Sequence, residues 1–125
     1  MNRSPVKVLI VEDVDVMAHL VQLVVQEIDG FVVTGMARNG AEARLELTRR
    51  FPDLVLLDEV LPGESSLDLL EELRSLKVPV ILLTSMRDRT EPLPEGALAR
   101  MLKPTWKTLK DDKIRIADVL SLFHA

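Results

Sequence analysis

Cysteine is absent from all 125 residues, which excludes a disulfide framework and any thiolate-bound metal. Tyrosine is absent too. Three Phe and one Trp are the only aromatics, too few for platforms on which nucleic-acid bases stack. There is no run of Lys or Arg, and the net charge is −4, which argues against direct nucleic-acid binding by this chain. Long apolar runs are missing as well. The first segment, MNRSPVKVLIVEDVD, meets acids directly after Val11. Such a stretch is too short for a signal peptide or a membrane span, so a cytoplasmic location is expected. No repeat, low-complexity tract or linker interrupts the chain. What is present is ordinary globular material, 47% apolar and 29% charged. The length fits one domain over residues 1–125, with its core at about 5–124.

Short apolar runs alternate with longer amphipathic stretches. Strands are expected at Val6–Val11, Phe31–Met36, Leu54–Leu57, Pro79–Leu83 and Ala99–Leu102. Val14–Ile28 carries Met17, Leu20, Val21, Val24 and Ile28 at helical spacing and ends at Asp29-Gly30. Asn39-Gly40 opens a second helix through Arg50, with Ala43, Leu47 and Phe51 on one stripe. A third helix covers Leu67–Leu76 and a last one Lys107–Phe123. Continuous apolar strands, each followed by a helix, indicate an α/β fold: a doubly wound, five-stranded parallel sheet, flavodoxin-like, with strand order 2-1-3-4-5. Between strands four and five, Pro92 and Pro94 in SMRDRTEPLPEG leave room for at most one helical turn, so the helix there is short or replaced by loop.

In such a sheet the site lies at the carboxyl ends of the strands. Glu12 and Asp13 follow strand one, with Asp15 beyond. Asp58 and Glu59 follow strand three, Thr84 and Ser85 strand four, and Lys103 strand five. Clustered carboxylates resist burial unless a positive charge joins them. Mg²⁺ is suited to that role because it takes oxygen ligands and needs only one or two carboxylates. Lys103 adds a point charge for a phosphate oxygen, and Thr84 a hydroxyl. An aspartate can itself be the nucleophile toward phosphorus, so the parts fit phosphoryl acceptance by Asp58.

VLIVEDVD, PDLVLLDEVLPG, PVILLTS and GALARMLKP, in that order, resemble the CheY-like receiver domain of two-component response regulators over essentially the whole chain. The resemblance implies that Asp58 accepts a phosphoryl group from a histidine kinase or phosphotransfer protein. It implies that Asp13 and Asp58 bind Mg²⁺, with Glu12 acting through water and the Val60 carbonyl completing the site. Thr84 becomes the switch hydroxyl and Lys103 the family's lysine, and Lys103-Pro104 resembles the family's cis peptide. Phosphorylation is then expected to shift the strand-four and strand-five face for an unknown protein target. The only chemistry expected is self-catalysed phosphoryl transfer and slow self-dephosphorylation, not turnover of a separate substrate.

Several positions depart from the pattern. Ser66 stands where the family has Gly. Arg100 replaces the aromatic whose rotation reports phosphorylation. Thr105 stands where Phe follows Lys-Pro, and Trp106 is expected to take over its packing. Val60 and Met86, at positions that tune phosphoryl lifetime, are apolar and poor at orienting water. The alternative is a pseudo-receiver that binds partners without phosphorylation, favoured by Arg100 and the broken helix and disfavoured by the intact acidic set. An FMN protein is disfavoured because EDVD would repel a phosphate, and a haloacid-dehalogenase-like phosphatase because Val60 stands where its second Asp belongs. Asp13 or Asp15 is a candidate helix cap, Glu59 is expected to be a solvated neighbour, and Arg87, Asp88 and Arg89 to form a solvated loop, with Arg87 close enough to the rim to touch a phosphoryl group. His19 and His124 are expected at the surface or at helix ends. Val16, Leu23, Val25, Ile114, Val119 and Leu122 exceed a single apolar stripe and suggest a partner or homodimer surface. The residues are compatible with a stand-alone receiver or with part of a longer regulator.

Overall fold

The computed structural model describes residues 4–86 and 90–124. Five strands alternate with four helices: β1 (Val6–Val11), α1 (Asp15–Gln26), β2 (Phe31–Ala37), α2 (Gly40–Arg49), β3 (Leu54–Asp58), α3 (Ser66–Ser75), β4 (Val80–Thr84), β5 (Ala97–Leu102) and α4 (Leu109–Leu120). All neighbouring strands pair in parallel, in the order β2-β1-β3-β4-β5.

The strands read as continuous apolar runs because both faces of the sheet are covered. Val8 and Ile10 of β1 join Leu54, Leu56, Ile81 and Leu83 in a core beneath α1 and α4. Leu9 and Val11 point the other way, into a core with Val55, Leu57, Leu69, Leu70 and Leu73 under α2 and α3. Each such fully buried Leu or Val contributes about 1.5–3 kcal/mol relative to exposure. Central β3 is buried along its whole length, so its last residue, Asp58, is held on a stiff support.

Local chemistry sets the helix starts. Asn39 Oδ1 accepts the Glu42 N–H at 2.9 Å while Glu42 reaches back to the Arg38 N–H. Ser65 Oγ accepts the Asp68 N–H. At α1 neither Asp13 nor Asp15 caps. The helix begins after Val14, whose N–H is taken by Glu12 Oε2 at 3.1 Å.

Several expectations are corrected. Phe51 lies beyond the end of α2 and is exposed, so only Ala43 and Leu47 face the core. Val25 is fully buried, because α1 packs against both the sheet and α4 and needs a wider apolar face than one stripe. Val119 is likewise partly buried against the same core, while Val16, Leu23, Ile114 and Leu122 are exposed. The last helix is shorter than expected, flanked by 3₁₀ turns at Trp106–Thr108 and Ser121–His124. Trp106 does not pack inward. The Thr105 N–H is tied to Asp112 Oδ2 at 2.8 Å, and the turn that starts there leaves the indole 63% exposed. No peptide among the described residues is cis, so Lys103–Pro104 is trans. The Lys103 N–H bonds to the Thr84 carbonyl at 2.7 Å and keeps the chain extended into buried Pro104. Between β4 and β5, residues 90–96 form no helix, as the two prolines require. Arg87, Asp88 and Arg89 lie outside the described residues. No helix among them is long and apolar enough to cross a membrane.

Candidate functional site

Strand register brings the candidate residues together. Val11 pairs with Leu57, Asp58 with Leu83, and Thr84 with Leu102. The residues that follow therefore emerge on one rim. There the Glu12 N–H bonds to the Ala37 carbonyl and the Glu59 N–H to the Leu83 carbonyl.

Lys103 is the hub. Its Nζ lies 2.6 Å from Glu12 Oε1 and 3.1 Å from Asp58 Oδ2. Glu12 and Asp58 are almost completely buried, and Lys103 is largely so. Burial pushes the Glu12 carboxyl above its usual range, against the hydrogen bonds from Lys103 and Val14. Burial alone would lower the Lys103 ammonium. The hydrogen bonds to Glu12 and Asp58 outweigh that effect and raise it, so it is charged at neutral pH. Asp58 Oδ1 accepts the Val60 N–H at 3.0 Å, which orients the carboxylate. Thr84 Oγ1 accepts the Met86 N–H at 3.1 Å, which fixes the hydroxyl at the end of β4. Asp13, Asp58, Thr84 and Lys103 line one open cleft of about 300 Å³, with Val60 and Met86 at its walls.

Glu12, Asp13 and Asp58 each present a carboxylate oxygen within 4.8 Å of the others. Three carboxylates face one ammonium. This excess of hard oxygen donors fits a divalent cation such as Mg²⁺, which prefers oxygen ligands and retains water.

Two features escape a reading of the sequence. Ser66 is buried, and its Oγ donates to the Asp58 carbonyl at 2.9 Å. Its backbone is not left-handed, so the helix start does not require glycine there. Glu59, expected to be solvated, is instead half-buried, with its side chain largely enclosed. Arg100 Nε donates to Glu59 Oε1 at 2.5 Å, with side-chain exposures of 16% and 7%. The available signal was Arg100 itself, a charge inside the apolar run ALARML, which demands a partner. His19 is exposed, with Nδ1 2.8 Å from the Asp15 carbonyl, and does not line the cleft over Asp58.

The profile of the response regulator receiver domain matches residues 8–115. Among curated relatives, the chain is 38% identical over 106 residues to the probable transcriptional regulatory protein TcrX of Mycobacterium tuberculosis, covering 81% of this chain and 44% of that one. The chain spans less than half the length of such relatives. The response regulator domain of Thermotoga maritima CheB superposes with a TM-score of 0.80 at 20% identity, covering 94% and 95% of the two chains, a likeness of fold. The PhyR stress response regulator superposes with a TM-score of 0.70 at 35% identity, over 93% of this chain and 45% of that one.

Proposed function

The chain belongs to the response regulator receiver domain family, and from that premise we propose that Asp58 is a phosphoacceptor whose charge state is read by a protein partner. The observation that carries this reading is a single, largely enclosed ammonium, Lys103, held between Glu12 and Asp58 and lining an open acidic cleft. A phosphohistidine on a histidine kinase or phosphotransfer protein is the proposed donor. An Asp58 carboxylate oxygen attacks phosphorus, the P–N bond breaks, and the imidazole nitrogen takes its electron pair.

Asp13 and Asp58 would hold Mg²⁺, with the Val60 carbonyl and, through water, Glu12. The ion would neutralise charge on the transferring group. Lys103 donates to one phosphoryl oxygen and the Thr84 hydroxyl to another. Val60 and Met86 are exposed apolar side chains at the cleft and leave an attacking water unoriented, so the acyl phosphate decays slowly. The chain turns over no separate substrate. It acts in the cytoplasm as one receiver domain, 1–125, by shifting the β4–β5 face for a protein target. The exposed Val16, Leu23, Ile114 and Leu122 offer surface to a partner or a second copy.

Acetyl phosphate with and without Mg²⁺ tests the reading. Mg²⁺-dependent gain of one phosphoryl group by the wild type, and none by Asp58→Asn, is expected. Equal labelling of the two proteins overturns Asp58 as the acceptor, and labelling of neither overturns the reading and leaves a phosphorylation-independent interaction module.

A further inference from the structure

Asp58 and Glu59 are consecutive, so the two carboxylates hang on one piece of backbone. Arg100 Nε donates to Glu59 Oε1, and the same guanidinium donates through its two terminal nitrogens to the carbonyls of Glu91, at 2.5 Å, and Pro92, at 3.0 Å. A guanidinium is planar and rigid, so these contacts cannot adjust independently. Any displacement of Arg100 toward one partner strains or breaks its bonds to the others. Both charges are poorly solvated, so a change in charge nearby is weakly screened. Glu59 lines the cleft over Asp58 and also a second cleft lined by Arg100, Glu91 and Pro92. Thr84 and Met86 line the cleft over Asp58, and they also line the adjoining cleft, of about 390 Å³, that Arg100 lines. Among the described residues, the Arg100 fork ties the 90–96 segment at the Glu91 and Pro92 carbonyls, Glu95 pairs with Arg74, and the Ala97 N–H bonds to the Pro94 carbonyl.

We infer that Arg100 couples the charge on Asp58 to the 90–96 segment. Phosphorylation adds negative charge beside Glu59, draws the guanidinium toward the site and releases the Glu91 and Pro92 carbonyls. The fork thus does with hydrogen bonds what an aromatic at this position would do by rotating, and the segment it frees is the surface offered to a partner. A two-state element biased by one local charge suffices. The inference rests on the phosphoacceptor reading above.

The test follows the Arg100 Nε–H resonance and hydrogen exchange of residues 90–97 in the full chain, with Mg²⁺ and with or without acetyl phosphate, in wild type, Arg100→Gln and Arg100→Lys. Uptake at Asp58 is followed in parallel by intact mass. In phosphorylated wild type the Nε–H resonance should shift and the segment exchange faster. Arg100→Gln should take up the phosphoryl group without any such change in exchange. Arg100→Lys keeps the charge and loses the fork; it should behave likewise, and it stands in should the Gln variant fail to fold. A phosphorylated wild type with an unmoved resonance and segment, or a variant that responds as wild type does, overturns the coupling alone. Failure of the wild type to take up phosphoryl at Asp58 overturns the phosphoacceptor reading and the coupling with it.

Discussion

The ammonium of Lys103 lies 3.1 Å from Asp58 Oδ2 although the two residues are 45 apart in sequence, and the same nitrogen is 2.6 Å from Glu12 Oε1. One cation thus neutralises two carboxylates that the ends of β1 and β3 force together. Lys103→Ala should lose about 3–5 kcal/mol of stability, because it leaves two buried anions without their partner. Denaturant unfolding measures this. Saturating Mg²⁺ should recover part of the loss by replacing the missing charge.

Mg²⁺ should also raise the thermal midpoint of the wild type, since a ligand that binds only the folded state stabilises it. At about 100 times its dissociation constant the gain is about 2.7 kcal/mol. Asp13→Asn should abolish most of that gain while leaving the metal-free midpoint little changed, because Asp13 makes no ion pair among the described residues. Calorimetry with and without the ion distinguishes the two.

The bond from Ser66 Oγ to the Asp58 carbonyl is buried. Ser66→Ala should cost about 1 kcal/mol for the lost bond. Ser66→Gly should cost more, because it adds the conformational entropy of glycine at the start of α3. Chemical denaturation of the three proteins gives the order.

Asp112 anchors the turn before α4. Its Oδ2 accepts the Thr105 N–H at 2.8 Å and the Thr108 hydroxyl at 2.6 Å, and its Oδ1 accepts from Arg115 at 3.0 Å. Burial works against the ionised form, but these bonds outweigh it and hold the carboxyl below its usual range. A depressed folded-state value means that the group's stabilisation is present above the unfolded value of about 3.9 and is lost as pH falls through the folded one. Asp112→Ala should therefore cost about 2 kcal/mol at pH 7. Its deficit against wild type should shrink as pH drops below 4. Unfolding curves across that range check the sign.

Replacing Met86 by Asn puts a hydrogen-bonding group at the mouth of the cleft, where the methionine is exposed. It should speed loss of the acyl phosphate by about tenfold, a fraction of what a well-placed general base achieves. Decay is followed after removal of the donor.

Much of this was legible in the sequence for a physical reason. Strands buried on both faces must be continuous apolar runs, and the residue after each run must emerge at the rim. Leu54–Leu57 followed by Asp58, and Pro79–Leu83 followed by Thr84, are read off directly. The Glu59–Arg100 pair was not legible, because it depends on which way a loop side chain turns across 41 residues of separation. Trp106 and Phe51 misled for a related reason. An aromatic is apolar wherever it stands, and only the turn set by Thr105 and the end of α2 leave these two in solvent.

The most direct test of the account is to locate the phosphoryl group. The chain is treated with acetyl phosphate and Mg²⁺, reduced with borohydride and digested, and the peptides are mapped by mass spectrometry. Reduction of an aspartyl phosphate leaves homoserine. Homoserine is expected at position 58, dependent on Mg²⁺ and absent without the phosphodonor. Homoserine at Asp13 instead, or an unmodified position 58 under every condition, would contradict it.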